Sequence, residues 1–168
     1  MSTTRRAPLQ RLARVVLAGL ALGAVRPHGA AAQQGPYDSL ADAHRAVVSA
    51  LDSARADHKL VLLDFGGNWC LDCLVLQRFF EEPGVESYLL EHYHLVDIDV
   101  GNFDRNRDIS LQYDDPITGG VPAVVVLRPD GSVVATTKDG ALESARNDTV
   151  KDILRYLRLW VSMSRARS

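Results

Sequence analysis

The sequence predicts an α/β domain in which a mixed β-sheet is flanked by helices. Three observations carry this. Helical and strand periodicities alternate between residues 38 and 100. The run KLVLLDF, residues 59–65, is a short apolar stretch with no regular alternation, the mark of a strand buried on both faces. Near the C-terminal end, two β-rich runs flank Arg128-Pro129-Asp130-Gly131, which makes a hairpin.

Residues 38–57 set Leu40, Ala43, Val47, Ala50, Leu51 and Ala54 at helical spacing, with Asp38 or Ser39 as the cap. The strand over residues 59–65 follows, and Gly66-Gly67-Asn68 breaks it. A second helix starts near Cys70 and runs to about Glu82, where Pro83-Gly84 interrupts it. Val85 to Tyr93 continues as a helical turn or two. HLVDIDV, residues 94–100, alternates as a strand does. A polar loop, residues 101–108, leads to a short helix at Ile109–Tyr113 and the turn-rich DDPITGG. Residues 123–127 and 132–137 form the hairpin. The last helix covers residues 149–163, with Val150, Ile153, Leu154, Leu157 and Val161 on one face and Asn147 or Asp148 as cap.

Residues 1–32 stand apart from this pattern. They hold five of the chain's nineteen basic residues and none of its twenty-one acids. An apolar stretch, VVLAGLALGAV, is too short to span a bilayer, and Ala30-Ala31-Ala32 closes the segment. A basic start, a short apolar middle and an A-x-A end describe a secretory signal peptide, cleaved near Ala32. The expected mature domain is then residues 33–168, exported to the periplasm or the exterior. Without the segment, fourteen bases face twenty-one acids, a net charge of −7. That excludes an electrostatic footprint for nucleic acid or anionic membranes. With 168 residues and two cysteines, the chain builds its own core and is no disulfide-stapled mini-protein. The sequence offers no dimerisation segment, so a monomer is expected.

The two cysteines are three apart, in Trp69-Cys70-Leu71-Asp72-Cys73. A C-x-x-C at a helix start has a physical logic. Free backbone N–H groups and the helix dipole favour the thiolate of Cys70, and the thiolate is the nucleophile towards disulfides. Cys73, one turn on, can attack the first sulfur and resolve a mixed disulfide. Other chemistries use the same residues. Half of a zinc site would need partners such as His92 and His94. A structural disulfide with so short a loop adds little stability. A Cys–His hydrolase needs a positioned histidine, which nothing local supplies.

Residues 59–73, KLVLLDFGGNWCLDC, resemble the active-site strand, loop and helix start of the thioredoxin family. Gly120-Val121-Pro122-Ala123 resembles the family's cis-proline loop, and residues 124–142 resemble its closing hairpin. The likeness extends over about residues 40–160. It implies a thioredoxin fold with a central mixed sheet of four to five strands. It further implies a thiol–disulfide oxidoreductase, with no cofactor beyond a redox-active Cys70–Cys73 disulfide and no metal, which the N-terminal segment would place outside the cytoplasm. Its partners would be protein disulfides and a membrane-bound or other thiol reductase as electron donor. By position, Asp64 matches the family's buried acid, which takes the proton of Cys73. Pro122 matches the cis-proline, Val121 offers its backbone to a substrate strand, and Trp69 forms an apolar lip beside Cys70. A binding module or chaperone using the same groove without redox chemistry is the alternative. The sequence departs from thioredoxin itself at three places. Leu71-Asp72 replaces Gly-Pro, and an acid there is expected to oppose the thiolate and favour a reducing poise. The family's lysine partner of the buried acid would fall near Leu95 and is absent. Residues 101–119 are longer, and they read either as a solvated loop or as a segment that lines the active-site face and sets partner choice.

Overall fold

The computed structural model describes residues 35–166. The segment read as a signal peptide lies outside the described residues. The elements run α1 (Ala43–Asp57), β1 (Leu60–Gly66), α2 (Leu71–Phe80), α3 (Pro83–His92), β2 (Tyr93–Asp99), α4 (Arg107–Gln112), β3 (Ala123–Leu127), β4 (Val133–Thr136) and α5 (Val150–Ala166). Short 3₁₀ turns cover Pro116–Gly119 and Ala145–Asn147.

Among the described residues the sheet has four strands, in the order β2-β1-β3-β4. β1 pairs with β2 in parallel, with Asp64 opposite Asp97, and antiparallel with β3, with Asp64 opposite Val124. β3 and β4 close the hairpin. Every residue of β1 is buried, as its unbroken apolar run requires. Its side chains alternate between two cores. Val61, Leu63 and Phe65 join α1 and the residues leading to Val121. Leu60 and Leu62 join Leu76 and Phe80 of α2, Val85 and Leu89 of α3, and Ile153, Leu157 and Trp160 of α5. Asp64 shares the parity of Leu60 and Leu62, so it lies on the face that α2 covers.

The predicted order of elements matches, and three boundaries differ for identifiable reasons. α1 begins at Ala43 because the Asp42 carboxylate caps it, accepting from the Arg45 N–H at 3.0 Å. Leu40 therefore lies before the helix and is 82% exposed, not on its apolar face. Pro83 opens α3 instead of breaking a helix, since its missing N–H costs nothing at the first position. α5 is capped by Thr149, not by Asn147 or Asp148. The Thr149 and Asp152 side chains accept each other's backbone N–H, at 3.3 and 3.1 Å.

Candidate active site

Cys70 is the N-cap of α2, where β1 hands over to the helix through Gly67-Asn68-Trp69. It forms a disulfide with Cys73, with Cα atoms 5.2 Å apart. Its Sγ accepts from the Cys73 N–H at 3.2 Å, so a free N–H of the first turn points at the sulfur. Cys70 is 7% exposed and Cys73 fully buried, which leaves the first sulfur as the accessible one. The Val121 carbonyl oxygen lies 3.4 Å from Cys70 Sγ. The Val121–Pro122 peptide bond is cis, and it sits immediately before β3. The loop and the helix start, 51 residues apart in sequence, thus meet at one sulfur.

Trp69 is 55% exposed, so it does not pack in the core. Its indole Nε1 donates to the Gly101 carbonyl at 2.6 Å, and its ring meets Phe103 at 5.7 Å between centroids. Leu71, beside it, is 56% exposed. The first residues of the longer loop therefore do border this face, and Phe103 extends the apolar lip.

Asp64 is completely buried. Two donors converge on its Oδ2, the Tyr37 hydroxyl at 2.6 Å and Gln77 Nε2 at 2.9 Å. Oδ1 has no protein partner. Burial raises the pKa to about 7, helped by the nearby Asp97 carboxyl, while the two hydrogen bonds pull it down. Gln77 Nε2 also donates to Asp97 Oδ1 at 2.6 Å. Gln77 lies one helical turn beyond Cys73, so the helix that carries the resolving cysteine also carries a hydrogen-bond donor to the acid. The lysine missing near Leu95 is thus replaced by two neutral donors. Gly66 makes room for one of them. A Cβ there would fall on the Tyr37 ring, 2.5 Å from its hydroxyl oxygen.

Asp72 corrects an expectation. Its carboxylate is buried and held by Arg146, through Nε at 2.9 Å, Nη2 at 2.5 Å and the backbone N–H at 3.0 Å. The guanidinium holds its pKa below the usual carboxylate range. A paired charge opposes a neighbouring thiolate far less than a free one, so Asp72 gives no reason for a reducing poise. The histidines that a zinc site would need are elsewhere. His94 pairs with Val61 at the start of β1, the opposite end of the sheet from Cys70, and binds Asp57 at 3.0 Å.

The sequence reading missed Tyr37, Gln77, Asp97, Phe103 and Arg146. Gln77 had a signal, a polar residue four beyond Cys73 on a helix otherwise apolar on that side. Asp97 had one too, as a polar position on the strand paired with β1. Arg146 had none, since 74 residues separate it from Asp72.

A family model described as thioredoxin-like matches residues 42–129, which is 88 of the 168 residues. The chain belongs to the thioredoxin-like family. A solved structure described as a disulphide isomerase from Xylella fastidiosa Temecula1 is 42% identical, with a TM-score of 0.71 over 77% of this chain and 96% of that one. The thiol:disulfide interchange protein DsbD of Pseudomonas fluorescens is 36% identical over 85 residues, 49% of this chain. Those residues span 14% of that protein's length. A thioredoxin from Thermus thermophilus, 20% identical with a TM-score of 0.50 over 67% of this chain and 81% of that one, shares the fold.

Proposed function

We propose that this thioredoxin-like chain is an exported thiol–disulfide oxidoreductase that reduces protein disulfides through Cys70 and Cys73. The observation that carries the reading is the Cys70 sulfur. It is held at a helix N-terminus against the Val121–Pro122 loop, with a buried thiol partner one turn on. In the reduced form, the Cys70 thiolate attacks a substrate disulfide. One substrate sulfur leaves as thiolate, and a mixed disulfide remains on Cys70. Asp64 accepts the proton of Cys73, whose thiolate attacks Cys70 Sγ and expels the second substrate thiolate. Two electrons have passed to the substrate, and the Cys70–Cys73 disulfide is formed. A thiol reductase, membrane-bound or otherwise, returns the electrons, and no cofactor is needed beyond the cysteine pair.

Three features support the details. The Val121 backbone and the exposed Trp69–Phe103 lip suit an extended substrate strand beside Cys70. The Val121 carbonyl puts the negative end of its dipole against the Cys70 sulfur. That disfavours the thiolate relative to a site lined by cations, and so favours a reducing poise. The basic, apolar and A-x-A segments of residues 1–32 support export to the cell envelope.

Trapping tests the reading. Cys70→Ser should abolish reduction of insulin disulfides. Cys73→Ser should accumulate mixed disulfides on Cys70, seen by mass spectrometry. Retained turnover in the first variant, or no adducts in the second, contradicts the mechanism.

A further inference from the structure

Two carboxyls, Asp64 and Asp97, face each other across β1 and β2. Asp64 and Asp97 are direct partners in the parallel register, so their side chains leave the same face. One amide nitrogen, Gln77 Nε2, donates to both, at 2.9 and 2.6 Å. Asp64 is sealed, whereas Asp97 is only partly buried and lines an open cleft of about 660 Å³ shared with Asp38, Ser49 and His94.

We propose that Asp97 is a positioning residue for the resolving step, coupled to Asp64 through Gln77 so that the two carboxyls titrate as one pair. The inference rests on the thiol-exchange reading above. Two carboxylates tied to one nitrogen cannot both ionise without mutual repulsion in a poorly solvated site. Of the other groups around the pair, Asp38 and His94 line the cleft with Asp97, His94 being engaged by the Asp57 carboxylate at 3.0 Å, and the groups that face the pair from the packed elements do not relieve it. From the segment before α1 comes the Tyr37 phenol, which burial keeps protonated and which donates to Asp64. α2 brings Gln77 and, one turn earlier, Cys73. β3 sets apolar Val124 opposite Asp64. On β2 the next residue of that parity, Asp99, lies 3.8 Å from Arg105. Asp97 itself is also held above the usual carboxylate range, chiefly by burial. The charge on Asp97, which water can reach, therefore sets the pH at which Asp64 becomes a base for Cys73.

The test follows resolution directly. The reduced chain is mixed with oxidised glutathione, quenched with acid at short times, and the decay of the Cys70–glutathione adduct is read by mass spectrometry across a pH series. In the natural sequence the rate should rise through an inflection near pH 7. Asp97→Asn should move that inflection down by about one pH unit while leaving the rate at high pH unchanged. Asp97→Glu should bring it back. Gln77→Met, which removes a donor from Asp64, should move it up. An inflection that Asp97→Asn leaves in place overturns the proposal. Should Asp97→Asn fail to fold, the side-chain carboxyl carbon resonances of Asp64 and Asp97 in the natural sequence decide. Two shared inflections support the pair, and one independent inflection for each residue overturns it. A chain that forms no glutathione adduct at all contradicts the exchange function instead, and the carbon titration still decides the coupling.

Discussion

Asp64 is wholly buried with one donor-poor oxygen, so its charged form is costly and its pKa sits near 7. In the proposed mechanism, a base with that value is matched to neutral pH for taking the proton of Cys73. Asp64→Asn should slow the decay of the mixed disulfide by about a hundredfold and remove its inflection near pH 7. Stopped-flow or quenched measurements with a small disulfide check both. An unchanged profile would show that Cys73 needs no help from this carboxyl. Asp64 could be found from the sequence because it stands a fixed six residues before Cys70, inside an apolar strand. Its partners could not. Tyr37 reaches it from 27 residues away, from a segment with no regular structure.

At the scale of elements, two junctions hold the site. The first is the passage of Tyr37 past β1, which depends on Gly66 lacking a side chain. Gly66→Ala should destabilise the fold by about 1–3 kcal/mol, as overpacking does, and shift the Asp64 inflection upward through loss of the Tyr37 bond. Denaturant unfolding checks the first effect and the pH series the second. The second junction ties α2 to the turn before α5 through Asp72 and Arg146. Arg146→Ala leaves a buried carboxylate unpaired beside the cysteines. It should lower the melting temperature and slow attack by Cys70, with Asp72→Asn in the same background restoring part of both. A double variant as impaired as Arg146→Ala alone would remove Asp72 from the explanation. The sequence predicts α2 and its cysteines because their cues are local. Its argument from Asp72 failed because the neutralising charge is distant in the chain.

For the whole molecule, the raised pKa of Asp64 has a consequence with a definite sign. In the folded chain the group holds its proton up to about pH 7, and in the unfolded chain it loses it near 3.8. Between those values the folded state binds more protons, so the Asp64 contribution is fully present below pH 4 and is lost as pH rises to about 7. Over that window this one group should lower stability by about 1.4 kcal/mol per pH unit. Asp64→Asn should flatten that share of the slope in urea unfolding across the same range. A slope that persists in the variant belongs to other groups.

The fold as a whole was legible because its cues are periodic and ordered. Buried strand, cysteine helix, G-V-P loop and closing hairpin follow one another as alternation and turn chemistry require. Phe103 was not, because it lies in a polar loop where no periodicity marks it, and its contact with Trp69 exists only once the loop is folded back.

The claim on which the account depends is that Cys70 and Cys73 form a reversible dithiol couple poised to reduce. Equilibrating purified residues 33–168 with glutathione buffers, read by Trp69 fluorescence and by thiol alkylation, measures it directly. A reduction potential near the roughly −270 mV of thioredoxin is expected. A value near the roughly −120 mV of a strong oxidant, or the absence of any reversible couple, would contradict it.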